Sequence, residues 1–131
     1  MALYTRCILN PPRDNCIRVS IMSRHTLNDG VTPDPRIIKS YDDHFAKLGP
    51  PAKLIGSYYK RNMPWEEFAQ RYLEYINQDL IRQTEIRLIV GYARSYDIAL
   101  LCIEKTPEQC HRRLLAELIK KKYPDLQVVI E

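Results

Sequence analysis

"DIALLCIEKTPEQCHRRLLAELIKKK" (Asp97–Lys122) sets an apolar run directly against a basic amphipathic stretch, and its reading decides the fold. "DIALLCI" (Asp97–Ile103) is a short, continuous apolar run, the pattern of a strand buried on both faces. Thr106-Pro107-Glu108-Gln109 then carries three helix-start signals. Thr106 can cap, Pro107 suits the first turn, and Gln109 can reach back as in a capping box. The spacing predicts a helix from Pro107 to Lys122, with Leu114, Leu115, Leu118 and Ile119 as its buried stripe. "LQVVI" (Leu126–Ile130) follows as another strand. Strand, helix and strand in that order form a crossover unit, which implies parallel strands covered by helices.

Upstream the pattern is less regular. "LYTRCIL" (Leu3–Leu9) reads as a strand, "NPPRDN" as a turn, and "CIRVSIM" (Cys16–Met22) as a second strand. "SRHTLNDGVTPDP" (Ser23–Pro35) is a long loop with Asn28-Asp29-Gly30 as its turn. "PPAKLIGSYYKRN" predicts a short helix entered through Pro51. "MPWEEFAQRYLEYINQDL" predicts a longer one, with Pro64 at its start, Glu66 and Glu67 in the first turn, and Trp65, Phe68, Tyr72, Ile76 and Leu80 on one face. "TEIRLIVGYARS" continues with Ile86, Ile89, Val90 and Ala93 on a common face. The expectation is a single α/β domain over residues 1–131: a small, mostly parallel sheet with helices on its faces. The first two strands leave room for an antiparallel edge at the N-terminus.

Composition fits that reading. A chain of 131 residues with 45% hydrophobic and 27% charged side chains has the balance of an ordinary globular domain. No apolar run approaches the ~18–20 residues of a transmembrane helix. The N-terminal stretch lacks the apolar core of a signal peptide, so a cytoplasmic protein is expected. The four cysteines, Cys7, Cys16, Cys102 and Cys110, are then expected as thiols. Cys7 and Cys16 flank the proline turn and could face each other across a hairpin, but their pairing is disfavoured. The net charge of +4 permits a phosphorylated or nucleic-acid partner without requiring one.

The chemistry gathers around the join between strand and helix. His111 precedes Leu114 and Leu115 by three and four residues, so it faces the sheet, and Cys110 lies at the edge of the same stripe. Arg112 and Arg113 fall further round, at the rim. Cys102 and Glu104 share a strand face, and Glu104 stands at the carboxyl end, where open α/β sheets bind ligands. The next helix presents its positive end there. If Cys16–Met22 runs parallel, Arg24 and His25 arrive at the same edge. The candidate catalytic residues are therefore Glu104, His111 and Cys110, and the candidate ligand-binding residues are Arg24, His25 and Arg112.

"LLCIEKTPEQCHRRLLAELI" resembles the Cys-x-Glu-x5-Cys-His-Arg signature of the family called domain of unknown function 488. "IRVSIMSRH" is similar to that family's early strand ending in arginine, and "PWEEFAQRYLEYI" to its Trp-x-x-Phe-x-x-Arg-Tyr helix. The three segments occur in family order and span most of the chain. The resemblance implies Arg24, Trp65, Phe68, Arg71, Tyr72, Cys102, Glu104, Cys110, His111 and Arg112 as the family-matching positions. It implies no particular reaction, since none is established for the family as a whole.

Several readings of the motif stand side by side. Cys102, Glu104, Cys110 and His111 are all competent metal ligands, but adjacent residues on a helix diverge by ~100°. There is no Cys-x2-Cys pair, and no metal is expected. The two cysteines then read as small apolar fillers between helix and sheet. A Cys-x5-Arg loop for thiol catalysis is absent: six positions after Cys102 is Glu108, and six after Cys110 is Ala116. Glu104 and His111 can form an acid–base pair, or Glu104 can clasp His111 or Arg112 and pin the helix to the strand end. Arg112, Arg113 and Lys120–Lys122 make one helix surface basic, and Tyr58, Tyr59, Lys60 and Arg61 interleave aromatics with charge. That is the material of a nucleic-acid surface, or of a solvated face with lysines matched to the helix dipole. Trp65 and the tyrosines read as core.

The expectation is a small anionic, phosphate-bearing ligand at the strand-end edge, with enzyme or binding module left open. A nucleic-acid-binding protein without catalysis and a purely structural motif are the alternatives. No cofactor and no oligomeric state is indicated.

Overall fold

The computed structural model describes residues 1–27, 29–37 and 40–131. Among these, five strands, β1 (Ala2–Cys7), β2 (Ile17–Ser20), β3 (Asp43–His44), β4 (Ile98–Cys102) and β5 (Gln127–Ile130), form one sheet in the order β3-β2-β4-β1-β5. Every pairing is parallel. β4 is central and all five of its residues are buried, as a continuous apolar run requires. Four helices, α1 (Ala52–Lys60), α2 (Trp65–Asn77), α3 (Leu80–Ala93) and α4 (His111–Lys122), accompany the sheet. α4 is the crossover from β4 to β5, as the strand–helix–strand pattern predicts.

The expected antiparallel edge is not found. β1 and β2 are not hairpin partners, because β4 lies between them and pairs with both in parallel. Residues 8–16, with the proline turn, carry the chain back along the sheet instead of reversing it. Nine residues in extended form reach roughly 30 Å, enough to retrace a short strand and step over its neighbour. Alternation and turn residues reveal a strand and a bend, but not which strand lies alongside. The four cysteines are free thiols.

The two faces of the sheet are covered differently. The main core joins Leu3, Val19, Ile98 and Leu100 to buried residues of all four helices, among them Leu54, Phe68, Tyr72, Ile76, Ile89, Leu115 and Ile119. On the other face Ala99 and Leu101 pack against Ile8, Cys16 and Ile37, all from irregular segments. The buried Arg18 side chain ties those segments down, donating to the carbonyls of Ser40, Ile8 and Asn10. A guanidinium suits this work because its fork can satisfy several carbonyls at once.

Two helix boundaries differ from the spacing. Leu80 does not extend α2. Asp79 caps a new helix, its carboxylate accepting from Ile81 N at 2.7 Å, and Leu80 is exposed. α4 begins at His111, later than the Thr-Pro signal suggested, with Cys110 as its N-cap in extended conformation (φ −135°, ψ 141°) and no side-chain cap. Residues 103–110 are therefore a loop lying across the strand end.

Candidate functional site

The strands' connections determine where a crevice opens. After β2 the chain leaves toward β3 at one edge of the sheet; after β4 it leaves toward β5 at the other. The two loops diverge above neighbouring strand ends, which is the arrangement that leaves a ligand crevice in open α/β sheets. A cavity of about 490 Å3 lies there. One wall is Met22–Leu27 without His25, a second is Cys102–Glu104 with Gln109, Cys110 and His111, and α1 closes it with Ile55, Gly56, Tyr58, Tyr59 and Lys60. Gly49 makes the crevice possible from below. A Cβ there would stand 2.2 Å from the Ser23 amide nitrogen, so only glycine lets this segment lie against the loop that leaves β2.

Among the expected site residues, Glu104, Cys110, His111 and Arg24 line this cavity, and His25 and Arg112 do not. Arg24 lies at the exposed wall, its guanidinium against Gly30, where a Cβ would approach Nη1 to 2.8 Å and φ is +76°. The loop is held by Asp29, which accepts from the amides of Val31 and Thr32 and from the Thr32 hydroxyl. Asn28, expected in the same turn, lies outside the described residues. His25 turns to the other face of the sheet, where Nε2 meets the Ser20 hydroxyl at 2.7 Å and the ring stacks on His44 at 4.0 Å.

Arg112 is wholly buried, not at the rim. Its Nη1 donates to the Glu104 carbonyl at 2.7 Å and to Cys110 Sγ at 3.5 Å. Nε and Nη2 have no partner among the described residues, and no ion pair there includes Arg112. The Glu104 carboxylate accepts from the Tyr59 hydroxyl at 2.5 Å, so its side-chain partner is on α1 rather than α4. Desolvation, then the Glu104 carboxylate, raise the Tyr59 phenol, which keeps it a donor although much of the residue is exposed at the rim.

The floor is made of sulfur and imidazole. His111 Nε2 lies 2.7 Å from the Ile21 carbonyl and its Nδ1 3.6 Å from Cys102 Sγ. A carbonyl only accepts, so Nε2 carries a proton, and Nδ1 is the nitrogen that faces the sulfur. Tyr72 fixes the ring from the side at 5.4 Å, itself held by its hydroxyl on the Leu48 carbonyl. The two thiols are unequal. Cys102 is lowered, first by the hydrogen bond from Cys110, then by the amides of Glu104 and Ile103 and the Arg112 charge, against the opposing effect of burial. Cys110 is raised by the same hydrogen bond and by burial. Cys102 is thus the more easily ionised of the two.

Cys102, Cys110 and His111 are the one group of three buried metal-competent side chains among the described residues, their ligand atoms all within 4.8 Å of one another. The expectation against a metal rested on Cys110 and His111 diverging as neighbours on a helix. That premise does not hold, because Cys110 is extended and outside it.

Sequence reasoning weighed Cys102 as a metal ligand but left it out of the candidate site, and it missed Tyr58, Tyr59, Gln109 and Lys60 as cavity residues. Cys102 was legible in part, two positions before Glu104 on the same strand face. Tyr58, Tyr59 and Lys60 carry no signal in their spacing, since α1 reaches the site only by packing.

The fold and crevice together define a parallel α/β domain with a strand-end site at a topological switch point. Residues 7–123 match the family described as the Active DUF488-N3 subclade, and the chain belongs to that family. No curated protein and no solved structure matches it. None of the described helices is long and apolar enough to cross a membrane.

Proposed function

We propose that the strand-end cavity binds a small anionic ligand and that the chain, in the cytoplasm, acts on it as an enzyme. One observation carries this reading: Glu104, Tyr59, Cys102, Cys110 and His111, five groups able to hold charge or move a proton, line a single cavity at the switch point. Arg24 and Lys60 supply positive charge on the same lining and suit a phosphate or carboxylate. In this reading Glu104 is the proton acceptor, with Tyr59 orienting its carboxylate. His111 and the Cys102–Cys110 pair form the reactive floor. Arg112 and His25 support the walls and do not touch the ligand. The family's description as an active subclade favours an enzyme over a binding module.

A basic helix surface for nucleic acid finds less support. Arg112 is inside, Arg113 pairs with Glu117, and Lys122 donates to Gln83.

The test is thermal melting with inorganic phosphate, nucleoside monophosphates and sugar phosphates. At least one should raise the melting temperature, and the rise should disappear in Arg24→Ala and remain in Lys120→Ala. Steeply salt-dependent oligonucleotide binding that needs the lysines of α4, with no response to the small phosphates, overturns the proposal.

A further inference from the structure

We infer that Cys102, Cys110 and His111 form a binding site for one zinc-class divalent ion, with its fourth coordination position open to the strand-end cavity. Two sulfurs and one imidazole nitrogen are the borderline-soft donor set that zinc prefers. Three protein ligands with an open fourth position is the pattern of catalytic rather than structural zinc. Their ligand atoms already lie within 4.8 Å of one another. Tetrahedral bonds of about 2.0–2.3 Å bring ligand atoms to roughly 3.4–3.8 Å apart, so closure takes shifts on the order of 1 Å. The Cys102–His111 separation of 3.6 Å is at that spacing already.

The surroundings orient the ligands. His111 donates its Nε2 proton to the Ile21 carbonyl, which leaves Nδ1 as the nitrogen that faces Cys102 and can ligate. This is the outer contact that metal-binding histidines ordinarily make. Arg112 donates to Cys110 Sγ, a contact that suits this sulfur once the ion has displaced its proton. On binding, each thiol that is protonated loses its proton to solvent, and two thiolates balance the charge of the ion. Glu104 lines the same cavity without belonging to the donor set, and would be the base toward an ion-bound water.

Purified protein stripped of metal and titrated with zinc should bind one equivalent. Cobalt should give the thiolate charge-transfer band and the intense ligand-field bands of a tetrahedral site. Glu104→Gln should bind as tightly as the parent. Cys102→Ser, Cys110→Ser and His111→Ala should each lose more than the about tenfold to hundredfold that an outer contact is worth. Because those variants can fail to fold, the parent protein supplies a second measurement. Zinc should protect Cys102 and Cys110 from alkylation, with Cys7 and Cys16 as internal references. Cobalt spectra without thiolate charge transfer, or alkylation of Cys102 and Cys110 unchanged by zinc, overturns the inference. Neither measurement uses an anionic ligand, so failure here is separate from failure of the phosphate melts.

Discussion

The guanidinium of Arg112 donates to the main-chain carbonyl of Glu104 at 2.7 Å, while the carboxylate of Glu104 turns the other way, to Tyr59. One residue thus joins two roles by two different groups. Its backbone anchors the loop that leaves β4, and its side chain faces the cavity. The clasp expected from the sequence exists, but it uses the carbonyl, which leaves the carboxylate for other work.

Arg112 is therefore a stability residue. Arg112→Met keeps most of the buried volume but leaves the Glu104 carbonyl without its donor, and should cost about 1–3 kcal/mol. Arg112→Ala adds a cavity and should cost about 2–4 kcal/mol. Urea unfolding measures both, and a near-neutral Arg112→Met would show that the side chain is not the anchor of this loop.

Glu104→Gln should behave in the opposite way. Its carboxylate has one side-chain partner, at a partly exposed position, so the melt should fall by no more than about 1 kcal/mol. Stabilisation by a phosphate-bearing ligand should persist, since Glu104 is not the anion's partner, but turnover should collapse. Tyr59→Phe should lower turnover less, because it loosens the carboxylate without removing it. A large melt loss in Glu104→Gln with turnover retained would return the side chain to a structural role.

Two glycines separate close packing from mere helix position. Gly49→Ala drives a Cβ into the Met22–Ser23 backbone and should cost about 3 kcal/mol or more, with loss of the crevice wall. Gly91→Ala meets nothing within 4 Å on an exposed turn of α3 and should gain about 0.5–1 kcal/mol. Equal effects in denaturation would contradict the close approach of Gly49 to the Met22–Ser23 backbone.

His25 gives a pH signature on the far face. Burial, and then neighbouring His44, lower its imidazole from 6.5 to about 4. The unfolded chain therefore binds this proton more readily than the folded one. Its contribution to stability is complete above pH 6.5 and is lost as pH falls from there toward 4. His25→Gln should flatten the stability profile in that window, and an NMR titration of the His25 ring should have its midpoint near the lower end. A midpoint at the ordinary histidine value would show the ring to be solvated.

The apolar run of β4, the amphipathic stripe of α4 and the Pro-led start of α2 were legible because period and composition act locally. They determined an α/β domain, a parallel crossover from β4 to β5, and a place to look at the strand end. Glu104, Cys110, His111 and Arg24 were drawn to that place by the same local logic, since a strand end and the following helix start must meet. What lay beyond it depended on contacts distant in the chain. Residues 8–16 turned out to retrace the sheet because β4, eighty residues later, occupies the space between β1 and β2. Tyr59 reached Glu104 because α1 packs over the crevice. Arg112 went inside because α4 starts at His111, which turns it under the 103–110 loop. That same placement of the helix start put Cys110 outside the helix and beside Cys102. Sequence periodicity determines which face of an element is apolar; only the tertiary structure decides where an element begins against its neighbours, and that register decides which side chains share a cavity.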